Sequence, residues 1–502
     1  MMLLKGFKFV LFLLIPWLKR FIILAVSSIF LMNQLASALV VQTARVVNGN
    51  PPYFSDPEAI GVNGAREYNQ QNFHYFGLKF QSSTFTGMNG LNQHLRNINF
   101  PQVDPNTTTP NQLLATLKSN YGFDGFMVPF NSSNPMDTQL VTDDDGDNIA
   151  QITPPDGGFK IDWFYRAANK SFLLLEADRN RTFCELARLG WNPYIRVSGS
   201  IAIVTKYGIP NFRVYSTPKS DFFIYNAIKP TVCANRPSVI YSFPYQNRDY
   251  TGDWTTLTWG EVSDPHIVDS GFVNSVSSGG FPTTGFDQAR FLMFIAGVPF
   301  DLSTITSSNS SKGVSVQLNK ITDGDVDSPL VNSAVQIKLT GQATDTNPTF
   351  TIKSNNEDIY TFTINKWFTS PSQNFYNYNQ SSNVCQGSYV VPTIEDLTNS
   401  DQSLIINNGA CTRDNSSNNC LAIRTNHYYR KVGNSLLAEW GDVTNQENFY
   451  HHTYPGNHFP KGRLYWTSNE RDRNNQYTVG TTIGAIEWQP KDNELYFVCV
   501  LK

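Results

Sequence analysis

Between residues 314 and 364, apolar and polar side chains alternate stretch after stretch. This pattern restricts the fold more than any other feature of the 502-residue chain. Val314, Val316 and Leu318 alternate with Ser315, Gln317 and Asn319; Val335, Ile337 and Leu339 alternate with Gln336 and Lys338. Phe350 and Ile352 lead into the polar turn Ser354-Asn355-Asn356, and Tyr360, Phe362 and Ile364 follow, alternating with Thr361, Thr363 and Asn365. A period of two puts one face of each stretch in a core and the other in water, which is the signature of antiparallel, half-buried strands. The fold class expected is mostly β with a small α+β C-terminal part. The central region is an immunoglobulin-like β-sandwich, inferred from the pattern alone because the antibody Cys–Trp–Cys spacing is absent.

Helices are few. Thr109 caps a segment with Pro110 at its first position, Leu113, Leu114 and Leu117 on one face and Gly122 at its end. Thr393-Ile394-Glu395-Asp396 forms a capping box opening a short helix through Leu397. Strands are expected over 463–467, 477–479, 485–488 and 495–500. The organisation expected is therefore a loop-rich β region over 39–195, the sandwich over 196–359, and a compact terminal domain over 360–502. That last part holds four of the nine tryptophans, Trp367, Trp440, Trp466 and Trp488, which are expected in its core.

The N-terminus reads as an export signal. Lys5, Lys8, Lys19 and Arg20 precede the apolar run Phe21–Met32, and Ala36-Ser37-Ala38 fits a small-residue cleavage site, so residues 1–38 are expected to be removed as a signal peptide. Lys19 and Arg20 interrupt the apolar sequence, and neither flanking run reaches the length of a spanning helix. No lipobox cysteine follows. Without these four bases the net charge moves from −3 to −7, and an acidic chain with dispersed bases argues against nucleic-acid binding. The six cysteines, Cys184, Cys233, Cys385, Cys411, Cys420 and Cys499, read as three disulfides in an exported chain. Their spacing alone leaves about 15 connectivities open.

Three stretches carry a family likeness: Thr205-Lys206-Tyr207-Gly208-Ile209-Pro210-Asn211 with Arg213-Val214-Tyr215; Gly280-Phe281-Pro282-Thr283-Thr284-Gly285; and a series from Lys366-Trp367-Phe368 through Cys385, Val391-Pro392, Asp396-Leu397-Thr398, Glu439-Trp440-Gly441 and Tyr465-Trp466-Thr467-Ser468 to Val498-Cys499-Val500. In this order they resemble the adhesion domain of invasin- and intimin-like surface proteins of Gram-negative enteric bacteria, the InvasinE-type adhesion domain. The resemblance implies a sandwich followed by a C-type-lectin-like domain. It also implies the pairs Cys385–Cys499, Cys411–Cys420 and Cys184–Cys233. It further implies cell adhesion at the outer cell surface or in the extracellular space, with a host or neighbouring-cell surface protein or glycan as partner. Intimin-type proteins carry a membrane barrel, and this sequence has no room for one. Release, a separate surface-anchoring partner and a periplasmic location are the alternatives.

No cofactor is expected. Sugar-binding C-type lectins hold calcium with Glu-Pro-Asn or Gln-Pro-Asp loops. Here Lys491 interrupts Gln489-Pro490-Lys491-Asp492, and Trp466-Thr467-Ser468 is neutral. Asp143, Asp145 and Asp147 form the densest acid cluster and are weak calcium candidates in a turn that lacks EF-hand spacing; Asp323, Asp325 and Asp327 are weaker still. His451, His452 and His458 have no shared helical face. No GxSxG, HExxH or phosphate loop is present, which points to binding without catalysis, although a glycosidase needs no local motif. The partner-binding candidates are Phe449, Tyr450, His451, His452 and Tyr454 in one loop, and Arg471 and Arg473 in a second turn, because aromatic and arginine side chains dominate interface hot spots. The function expected is that of a secreted or surface adhesin acting through its C-terminal domain. The alternatives are a calcium-independent carbohydrate-binding lectin and a periplasmic or cell-envelope assembly component.

Overall fold

The computed structural model describes residues 49–54, 76–86, 99–153, 158–167, 170–215, 219–237, 267–268, 271–273, 280–299, 303–308, 310–320, 334–372, 374–400, 428, 431–433, 435–444, 458–460, 464–481 and 484–502. Mostly β structure is what it shows, with antiparallel sheets and few helices. None of the described helices is long and apolar enough to cross a membrane.

The alternating stretches build the sandwich. Seven strands form its larger sheet, in the order Ile267–Val268, Gly271–Val273, Thr231–Pro237, Arg290–Ala296, Ala334–Gly341, Val314–Lys320 and Ser310–Ser311. Ile305–Ser307, Thr349–Ser354 and Glu357–Thr363 form a second, three-stranded sheet. Val314, Val316, Ile337 and Leu339 from the first and Phe350, Ile352 and Phe362 from the second share one buried cluster. Asn355 and Asn356 join the last two strands with φ of 49° and 69°. A two-residue hairpin turn requires positive φ at both positions, and Asn accepts it at low cost.

The helix expected after Thr109 runs Pro110–Tyr121, with a capping box from Thr109 to Gln112 and Gly122 in the left-handed region. Its buried Leu113 and Leu117 pack with Phe123, Trp163, Phe183, Ile195 and Val197 into the core of the first region. That core lies against a four-stranded sheet, Lys219–Phe222, Asn192–Ser198, Lys160–Ala167 and Lys170–Leu173. The division drawn at residue 195 therefore falls inside a strand, Asn192–Ser198, that pairs on both sides. Cys184 and Cys233 are bonded, so helix Phe183–Arg188 of the first region is tied to a strand of the large sheet, across that division.

The second expected division, at 359/360, falls inside Glu357–Thr363, and the core runs straight through it. One buried cluster draws members from both sides of the division, among them Val232, Ile337 and Phe350 before it and Trp367, Trp440 and Leu501 after it. A four-stranded sheet of the C-terminal region takes its outermost strand, Thr284–Phe286, from the sandwich sequence, parallel to Lys366–Thr369; Cys499–Leu501 and Tyr389–Val390 complete it. Gly285 is required there, since a Cβ would lie 2.9 Å from the Trp367 ring. A three-stranded sheet, Leu464–Glu470, Asn475–Gly480 and Ile486–Pro490, follows the terminal pattern read from sequence. Cys385 is bonded to Cys499 across this region; Cys411 and Cys420 lie outside the described residues.

Candidate functional site

Three side-chain groups decide what the C-terminal region can do chemically. The first is built on helix Leu436–Trp440, all five of whose residues are buried. Glu439 is the one charged side chain in that helix, and its carboxylate faces the sandwich sequence. It accepts hydrogen bonds from the backbone N–H groups of Thr283 (3.1 Å), Thr284 (2.8 Å) and Gly433 (2.9 Å). The hydroxyls of Thr283 and Thr284 donate to it at 2.5 and 2.7 Å. Trp440 Nε1 donates to the carbonyl of Thr284 at 3.1 Å, and its ring lies 5.0 Å from that of Phe281. Tyr360 donates to the Phe281 carbonyl. Burial pushes the Glu439 carboxyl above the ordinary carboxylate range, against the hydrogen bonds from Thr283, Thr284 and Gly433. The carboxyl is closed off from solvent and engaged by donors from two separate stretches of sequence. It is a clasp between two parts of the chain.

Asp396 is a second buried acid, at the start of helix Ile394–Leu397. Lys366 Nζ lies 2.8 Å and Lys502 Nζ 2.6 Å from its two oxygens, and Thr393 N–H donates at 2.7 Å. Burial opposes its ionisation, but Lys366, Lys502 and Thr393 outweigh it, and its carboxyl sits below the usual range. It fastens the last residue and strand Lys366–Thr369 to the helix.

The third group is exposed. The turn between Leu464–Glu470 and Asn475–Gly480 is shaped by Asp472, whose carboxylate accepts from the N–H groups of Asn474 (2.9 Å) and Asn475 (3.0 Å) and from Asn475 Nδ2 (2.9 Å). The Asn475 and Asn474 bonds hold that carboxyl below its usual range. Arg471 lies over Trp488, its guanidinium carbon 3.8 Å from the ring centroid. Arg473 stands exposed at the apex, and Lys491 pairs with Glu470 at 2.7 Å beside it.

Of the expected site residues, Arg471 and Arg473 share this turn. Phe449, Tyr450, His451, His452 and Tyr454 lie outside the described residues. Trp367, Trp440 and Trp466 are buried, whereas Trp488 is half-buried beneath Arg471. The Asp143–Asp147 turn spends its carboxylates locally: Asp143 accepts from Asp145 N–H (2.9 Å), Asp145 from Asn50 N–H (2.8 Å) and Asp144 from the Tyr53 hydroxyl (2.7 Å). Among the described residues no three His, Cys, Asp or Glu side chains converge as a metal site. Asp323, Asp325 and Asp327 are outside the described residues.

Two features escaped the sequence reading. The clasp role of Glu439 was signalled only by a lone acid in the apolar run Leu436-Leu437-Ala438-Glu439-Trp440. The hairpin Ile201–Thr205 and Phe212–Tyr215 was noticed for its family likeness, not for the exposed apolar side chains it carries.

No protein-family model matches the chain, and no curated protein does. Among solved structures, the crystal structure of invasin, described as a bacterial integrin-binding protein, aligns with a TM-score of 0.28 and 13% identity. The alignment covers 80% of this chain and 57% of that one. A score at that level is too low to equate the two folds.

Proposed function

We propose that this is an exported adhesin-like protein that binds a host or neighbouring-cell surface molecule, without catalysis, through the loops of a lectin-like C-terminal domain. The observation that carries the reading is the Glu470–Asn475 turn. It stands on a sheet rooted in the shared core, its backbone is set by Asp472, and it presents Arg473 outward with Arg471 laid on Trp488. A rigid scaffold holding a preset loop loses little entropy on binding, and arginine with tryptophan is a favoured hot-spot composition. The disulfides Cys184–Cys233 and Cys385–Cys499 fit an oxidising compartment outside the cytoplasm. The buried acids support binding over catalysis, because both are consumed in fastening the fold.

The test is binding of the purified protein to cultured epithelial cells, read by flow cytometry. Changing Arg471 and Arg473 together to Ala is expected to weaken binding by at least about tenfold, while circular dichroism shows the variant still folded and its melting temperature only slightly lowered by loss of the Arg471 contact on Trp488. Equal binding by this variant would remove the turn from the site, and absence of binding by the unaltered protein would sink the reading. A glycan array probed with calcium and with chelator separates a protein ligand from a sugar.

A further inference from the structure

The apolar hairpin of the first region has one face too many. Ile201-Ala202-Ile203-Val204 is a continuous apolar run, the composition of a strand covered on both sides. One side is covered: Ile201 and Ile203 pack with Val141 and Ile152 in a small core. On the other side, Ala202 pairs with Val214 and Val204 with Phe212, and these two partners are more than half exposed. Tyr207 and Ile209, in the connecting loop, are more than half exposed as well. Single exposed apolar side chains are ordinary, but four within eight residues on one hairpin are not.

The loop is held in shape rather than loose. Thr205 N–H donates to the Asn211 carbonyl at 2.8 Å, and the buried Thr205 hydroxyl reaches the carbonyls of Tyr207 (2.8 Å) and Asn211 (3.1 Å). Lys206 N–H donates to Asn148 at 2.9 Å, which fixes the hairpin beside the acidic turn. A Cβ on Gly208 would lie 2.6 Å from Asp147 Oδ2. Among the described residues, the turn beside this loop carries Asp144, Asp145 and Asp147 outside the core, against Lys206, whose ammonium sits 5.3 Å over the Tyr207 ring, and Arg213. The border is acidic on balance.

We propose that this hairpin is a docking surface for a protein partner that offers an apolar patch bordered by lysine and arginine. The proposal rests on the adhesin reading and adds to it a second contact, more than a hundred residues before the C-terminal turn. Phe212 and Val214 would fill the partner's apolar patch, with Tyr207 and Ile209 at its edge. The Asp143–Asp147 turn supplies the charge complementarity that guides approach and excludes acidic surfaces.

The experiment compares three forms of the purified protein on cultured epithelial cells: unaltered, Phe212→Ser with Val214→Ser, and Asp147→Lys. The altered positions are at the surface, and circular dichroism melting checks that each form is folded. The double variant is expected to bind at least about tenfold more weakly. Asp147→Lys should bind about threefold more weakly, with a flatter dependence on salt. Trypsin treatment of the cells should abolish binding by the unaltered form. Full binding by the folded double variant, while Arg471→Ala with Arg473→Ala fails to bind, overturns this proposal and leaves the adhesin reading standing. Binding that survives trypsin points to a lipid or glycan and overturns it too. So does a dimer in sedimentation that the double variant converts to monomer, because the occupant would then be a second copy. If the unaltered protein does not bind cells, both proposals fall together.

Discussion

The sandwich and the C-terminal region are joined from within, whereas the first region is joined to them at a stitch. Across the sequence division near 360 there is one continuous core, a strand lent by Thr284–Phe286, and a carboxylate from Glu439 that satisfies donors about 155 residues away. Between the first region and the large sheet the links are the disulfide Cys184–Cys233, the packing of the single helix Phe183–Arg188 on strands Thr231–Pro237 and Arg290–Ala296, and a hydrogen bond from Asn192 Nδ2 to the Val298 carbonyl. The first region also keeps a satellite core of four buried residues and leaves apolar side chains in water. The difference separates two uses of a β scaffold. The Glu470–Asn475 turn stands on a shared core, and the hairpin over 201–215 is left half-covered.

The comparison can be broken most severely at the disulfides. Replacing Cys385 and Cys499 by Ala opens a bridge spanning 114 residues and is expected to cost about 3–5 kcal/mol in urea unfolding. Because the core is shared, sandwich and C-terminal signals should fall together. Replacing Cys184 and Cys233 should act differently. Proteolysis within 160–222 should accelerate while exchange protection over 290–296 and 334–341 is retained.

Glu439→Ala comes next. It leaves the N–H groups of Thr283, Thr284 and Gly433 without their acceptor, and a loss of about 3 kcal/mol or more is expected at neutral pH. Glu439→Gln keeps one carbonyl acceptor and should lose less. A variant that weakens only the C-terminal signal would show that the clasp does not couple the two parts.

Acid sharpens the contrast between the two buried carboxyls. The folded value of Asp396 lies below the ordinary 3.8, so its contribution is present above that value and is lost as pH falls through the folded one. Glu439 has the opposite sign. Its folded value lies above 4.5, so the stability it adds is greatest in acid and declines as pH rises through the folded value. Asp396→Asn should therefore flatten the acid limb of a plot of urea midpoint against pH, and Glu439→Gln should steepen it. Arg471→Ala is the smallest effect, about 0.5–1 kcal/mol with altered Trp488 fluorescence, since it removes a half-exposed cation–ring contact.

The parts of this architecture that sequence made legible are those set by near neighbours. Alternation at 314–318, 335–339 and 360–364 marked strands because each side chain reports its own face. Thr109 and Thr393 marked helix starts because a cap bonds within three residues. The division at 360 was placed where the density of tryptophan and cysteine rises, and that density carries no information about which strand completes which sheet. Thr284–Phe286 is three residues long, and its partners lie more than 80 residues further on. Trp488 illustrates the same gap at the candidate site: a tryptophan in a strand reads as core, and only the folded turn brings Arg471 over it.

The shared core is tested most directly by native-state hydrogen exchange of the intact, oxidised protein in increasing urea. Amides in Arg290–Ala296 and Ala334–Gly341 and those in Lys366–Thr369 and Cys499–Leu501 should open with the same free energy and the same urea dependence, as one cooperative unit. Opening of the last two strands at lower urea, while the sandwich strands stay protected, would contradict it.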